Sequence, residues 1–205
     1  MRIFLLPVLA LLTAPAIAQA PPAASLQGGP DFISPMGQPF RSHDQLPGAE
    51  HWFEQADTDH DGRLTAAEMR ADADRFFKML DTDHDDELGP DEISHYETEV
   101  APEIAVASTY GDPNLAKTDD SGNVTPPPYP TRLGAGRFGY LDMPEPVISA
   151  DANMDRAVSR QEFAAASARR LRMLDTDGDG ALTRAELPKL SAVKEDRQDR
   201  GGGPR

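Results

Sequence analysis

DTDHDGRLTAAE (57–68) and its near copy DTDGDGALTRAE (175–186) decide the reading of this chain. Two looser versions, DTDHDDELGPDE (81–92) and DANMDRAVSRQE (151–162), share their framework of oxygen-bearing side chains at alternate positions and a glutamate at the twelfth. The four stretches are regularly placed. Asp57 and Asp151 lie 94 residues apart, as do Asp81 and Asp175, and within each half the two starts are 24 apart. Met-Leu precedes both the second and the fourth stretch, at 79–80 and 173–174. Fixed offsets of this kind indicate internal duplication.

A hard divalent cation such as Ca²⁺ takes about six to eight oxygen ligands. A short loop supplies them by turning alternate side chains inward and closing with a bidentate glutamate. The first loop offers Asp57, Asp59, Asp61 and Glu68, and the fourth offers Asp175, Asp177, Asp179 and Glu186. The second offers Asp81, Asp83, Asp85 and Glu92, and the third Asp151, Asn153, Asp155 and Glu162. These loops resemble the EF-hand superfamily, and more narrowly the signal-bearing bacterial EF-hand proteins with closely spaced loops. The resemblance implies an all-α fold of four helix–loop–helix calcium sites in two duplicated halves, holding up to four Ca²⁺. It also implies backbone carbonyls of Arg63, Glu87, Ala157 and Ala181 as seventh-position ligands. At the eighth position Leu64, Leu88, Val158 and Leu182 would meet in short β-bridges.

The sixth position needs a tight or left-handed backbone, which Gly62 and Gly180 adopt freely. Asp86 tolerates it, whereas Arg156 costs on the order of 1–2 kcal/mol there. The third loop also has one fewer carboxylate, and Pro144 and Pro146 leave little chain for a helix before Asp151. The expected order is therefore first and fourth tightest, second intermediate, third weakest. Residues 66–80 and 160–174 lack Gly and Pro and carry apolar residues at helical spacing, Met69, Ala73, Phe76, Phe77 and Leu80 in one, Phe163, Leu171 and Leu174 in the other. Each predicts one straight helix of about 22 Å. Such a helix holds its own two loops apart, so pairing is expected to run between the halves. Phe76, Phe77 and Met79 read most simply as core.

The remaining sequence divides into 1–18, a signal peptide cut after Ala18; 19–45, a flexible arm; 46–100, the first loop pair; 101–146, a proline-rich connector; 147–193, the second loop pair; and 194–205, a disordered tail. A helix is expected to start at Pro47 and turn Trp52, Phe53 and Ala56 inward. The connector holds TPPPYP (125–130), an extended spacer or a docking motif for a protein partner. The signal segment implies a periplasmic or secreted protein whose mature form does not insert in the membrane.

Composition agrees with a cation ligand. The chain has 35 acidic and 20 basic residues, a net charge of −15, and the fifteen ligand acids equal the whole excess. That charge argues against a nucleic-acid partner. The absence of cysteine excludes thiolate metal sites and cysteine nucleophiles. His60 and His84 sit at the fourth, outward-facing loop position, and His43, His51 and His95 lack HExxH spacing. No GxSxG, P-loop or dinucleotide fingerprint occurs, so no enzyme activity is expected. The expected function is calcium binding by a sensor or buffer, the alternative being a calcium-stabilised structural module that recognises a partner.

Overall fold

The structure, a computed structural model, describes residues 31–41, 46–105, 117–125 and 132–190. The expected signal peptide (1–18), the expected tail (194–205), His43 and residues 126–130 of TPPPYP lie outside the described residues.

Two 15-residue helices form the spine, α2 (Ala66–Leu80) and α4 (Arg160–Leu174), with the bounds their periodicity predicts. Each starts at a hydroxyl cap, Thr65 or Ser159, whose oxygen accepts the N–H of the glutamate three residues on. Such boxes satisfy helix-end donors that otherwise have no partner, worth about 1 kcal/mol. Four short strands line the loops, β3 (Arg63–Thr65), β4 (Glu87–Leu88), β7 (Val158–Ser159) and β8 (Ala181–Thr183), while β5 (Lys117–Thr118) and β6 (Val124–Thr125) pair with each other in a separate exposed hairpin. β3 pairs antiparallel with β8, placing Leu64 opposite Leu182, and β4 pairs with β7, placing Leu88 opposite Val158. The first loop thus joins the fourth, and the second joins the third. Pairing runs between the halves, so neither 46–100 nor 147–193 contains a loop pair of its own.

Each ladder stands on its own apolar cluster. Beneath β3·β8 lie Trp52, Phe53, Leu171 and Leu174, and beneath β4·β7 lie Phe76, Phe77, Tyr96 and Phe163. Both long helices feed both clusters, which fixes the two loop pairs relative to one another. α1 (Gly48–Ala56) buries Trp52, Phe53 and Ala56 as expected, but Pro47 is its N-cap rather than its first residue. Met79, expected in the core, is 49% exposed, because α2 buries Phe76, Phe77 and Leu80 and turns Met79 outward.

The arm and the connector depart furthest from expectation. Residues 31–41 are not a free arm. β1 (Phe32–Ile33) and β2 (Pro39–Phe40) form a hairpin whose Phe32 enters one cluster and whose Met36 enters the other. Arg170 of α4, only 2% exposed, secures it by donating to Pro35 O at 2.9 Å and to Met36 Sδ at 3.3 Å. The same guanidinium donates to Pro146 O at 2.5 Å and to Ser149 Oγ at 2.9 Å. Residues 132–146, the end of the expected spacer, are likewise packed. Ile33 N donates to Phe138 O at 3.1 Å, Tyr140 is buried against Phe32 and Trp52, and Arg132 gathers the carbonyls of Gly136, Gly139 and Tyr140. Gly134, at φ 50, lets the Pro144 carbonyl pass where a Cβ would collide with it.

Candidate metal sites

Four loops of unlike sequence share one backbone. Each has a left-handed residue at its fourth position, His60, His84, Met154 or Gly178, and another at its sixth, Gly62, Asp86, Arg156 or Gly180. The fourth-position requirement is not visible in the motif; the sixth is, and Arg156 meets it at φ 77. One oxygen of the first-position aspartate accepts the sixth-position N–H at 2.9 Å in the first loop, 3.3 Å in the second, 3.0 Å in the third and 2.9 Å in the fourth. The glutamate closes every loop. Glu68 accepts Thr58 N on one oxygen and Thr65 N on the other, both at 2.9 Å. Glu92 bridges Thr82 N and Gly89 N, Glu162 bridges Ala152 N and Ser159 N, and Glu186 bridges Thr176 N and Thr183 N. The Thr65 N–H is the main cause that lowers Glu68 to about 2. Glu162 and Glu186 also lie below the usual carboxylate range, through Ser159 and Thr183 respectively. Burial pushes Glu92 up, but the N–H groups of Thr82 and Gly89 outweigh it and leave Glu92 lowered. The four clamps therefore stay ionised at neutral pH.

Convergence differs among the loops. Oxygens of Asp57, Asp59 and Asp61 all lie within 4.8 Å of one another, as do those of Asp81, Asp83 and Asp85, and those of Asp175, Asp177 and Glu186. No such group of three acids forms in the third loop among the described residues. There Asn153 Nδ2 donates to Asp155 Oδ2 at 2.7 Å, so two of its candidate ligands bind each other. In the fourth loop Asp179 pairs with Arg63 at 2.5 Å, and that bond holds its carboxyl below the usual range. The donor set is oxygen only, and several carboxylates converge, which fits a hard cation such as Ca²⁺ rather than a soft metal. His60 and His84 are exposed.

Flanking helices are less regular than four complete helix–loop–helix units. α1 and α2 flank the first loop, and α2 and the six-residue α3 (Pro90–His95) flank the second. One 3₁₀ turn, Ile148–Ala150, precedes the third, as the two prolines led one to expect. After the fourth, only a turn follows among the described residues, with Glu186 N donating to Thr183 O at 3.2 Å. Pro188 lacks the N–H and has no room against the preceding turn, so a helix cannot propagate through it. A buried polar group went unread in the sequence. Asp72 of α2 accepts from Trp52 Nε1 at 3.1 Å and is also held by Gln55 and Arg75.

This is a protein of acidic loops paired through short antiparallel ladders and set on two long helices. The family model described as EF hand matches residues 49–71 and 168–191, which carry the first and fourth loops. The two matches support assignment to the EF-hand superfamily, and with the acidic clusters they support calcium as the ion. No curated protein and no solved structure matches the chain. No helix among the described residues is long and apolar enough to cross a membrane.

Proposed function

We propose that this is an exported EF-hand protein that binds up to four Ca²⁺ ions reversibly, through two cross-half pairs of loops. Asp57, Asp59, Asp61, the Arg63 carbonyl and Glu68 serve the first site, and Asp175, Asp177, Asp179, the Ala181 carbonyl and Glu186 the fourth. Asp81, Asp83, Asp85, the Glu87 carbonyl and Glu92 serve the second, and Asp151, Asn153, Asp155, the Ala157 carbonyl and Glu162 the weaker third. The observation that carries this reading is the recurrence of one carboxylate–backbone scaffold in all four loops. Export rests on residues 1–18 alone, and no catalytic role is proposed.

A buffer or calcium-stabilised module is favoured over a sensor that opens widely. The apolar interior beneath the ladders is filled by the chain's own Phe32, Met36, Tyr140 and Val147. A sensor exposes apolar surface on loading, whereas a buffer barely opens. An apolar dye separates the two, added to the chain with Ca²⁺ and with chelator. Equal or lower fluorescence with Ca²⁺ supports the buffer reading, and a several-fold rise contradicts it. Titration of Glu68→Gln, Glu92→Gln, Glu162→Gln and Glu186→Gln tests the sites, each variant being expected to lose one binding event.

A further inference from the structure

We propose that Arg63 is a built-in competitor at the fourth loop, its guanidinium holding the Asp179 oxygen that would face an ion. This rests on the calcium reading above and deepens it. In every loop the fifth-position carboxylate uses Oδ1 to accept the N–H two residues on: Asp61 from Arg63 at 2.8 Å, Asp85 from Glu87 at 2.9 Å, Asp155 from Ala157 and Asp179 from Ala181, both at 3.0 Å. Oδ2 is then the oxygen left for a cation. In the fourth loop that oxygen accepts from Arg63 Nη2 at 2.5 Å. Convergence reports the same thing independently. The fifth-position aspartate belongs to the cluster in the first and second loops, while the fourth-loop cluster is completed by Glu186 and omits Asp179.

The ladder explains the reach. β3 and β8 are antiparallel with Arg63 opposite Thr183, so a side chain of the first loop crosses to the fourth. Its own carbonyl is a ligand candidate of the first site, which makes Arg63 a physical link between the paired sites. In the other pair the residues at the loop position of Arg63 are Glu87 and Ala157, neither of them a cation, and the arginine that crosses there, Arg160 at the tenth position, meets Asp74 and Asp86, neither a fifth-position residue. Arg63 and Asp179 are 42% and 39% exposed, so solvent screens the pair and its removal is a modest effect. Release of Asp179 is expected to tighten the fourth site about two- to fivefold.

The test follows the Gly180 amide resonance of the full chain through a Ca²⁺ titration, in wild type, Arg63→Gln, Arg63→Lys and Arg184→Gln. Arg184→Gln removes one positive charge from the same loop without touching Asp179, whose cross-loop partner is Arg63. The expected result is two- to fivefold tighter binding in Arg63→Gln and a smaller gain in Arg63→Lys and Arg184→Gln. The metal-free protein gives a second readout: the Arg63 guanidinium protons should exchange slowly in wild type and rapidly in Asp179→Asn. Equal affinity in wild type and Arg63→Gln, or equal gains in Arg63→Gln and Arg184→Gln, overturns the inference while leaving calcium binding intact. A wild-type Gly180 signal that ignores millimolar Ca²⁺ overturns the calcium reading of the fourth loop itself.

Discussion

Glu145→Gln should make the metal-free protein more stable at pH 8 and leave it almost unchanged at pH 4. Burial pushes this carboxyl up from 4.5 to about 7, against the Ile148 N–H that it accepts and the Arg170 charge nearby. Its Oε1 is buried without a hydrogen-bond partner. Below pH 4.5 the group is protonated in both folded and unfolded chains and exerts no pH-dependent effect. Between 4.5 and 7 the unfolded chain releases a proton that the folded chain retains, so stability falls as pH rises. Above 7 the loss is complete. At about 1.4 kcal/mol per pH unit, the interval amounts to about 3 kcal/mol. Glutamine keeps an acceptor for Ile148 and carries no charge. Urea unfolding of both proteins at pH 4 and pH 8, with chelator present, measures the difference, since Glu145 is the one ionisable group that the two proteins do not share. A stability gap that is the same at both pH values, or a less stable variant at pH 8, refutes the reasoning.

Arg156→Gly should stabilise the metal-free protein by about 1 kcal/mol and tighten the third site, because φ is 77 there and glycine adopts it without strain; a lower urea midpoint would count against it. Arg170→Met should cost on the order of 2–4 kcal/mol, since the carbonyls of Pro35 and Pro146 lose their buried donor; protease cleavage within 31–41 should rise with it, and unchanged cleavage would detach the hairpin from Arg170. Leu182→Ala should cost about 2–5 kcal/mol and weaken calcium binding at the first loop as well as the fourth, because Leu182 faces Leu64 across the ladder; weakening confined to the fourth loop would contradict coupling through β3·β8.

The loops and long helices were readable because each depends on local rules. Alternate oxygens, the closing glutamate and the uninterrupted runs at 66–80 and 160–174 are properties of short stretches. Cross-half pairing followed from length alone, since a straight 15-residue helix cannot fold its two ends together. What escaped depends on distant partners. Phe32, Ile33 and Met36 lie among Pro, Gly and Ser without periodicity, and contacts with residues distant in the chain bury them, among them Trp52 of α1, Phe138, Tyr140 and Arg170 of α4. Arg169, Arg170 and Arg172 look alike in sequence, yet Arg170 alone of them is buried, because its position on α4 faces the hairpin. Asp179 matches its motif position, and its diversion by Arg63 arises 116 residues away in the chain.

Calorimetric titration of residues 19–205 with Ca²⁺, with Mg²⁺ in excess as competitor, tests the central claim most directly. The expected result is three or four ions bound at millimolar supply, with Mg²⁺ unable to displace them, since a bidentate clamp suits the larger cation. Uptake of no Ca²⁺ under those conditions, or full displacement by Mg²⁺, would contradict the account.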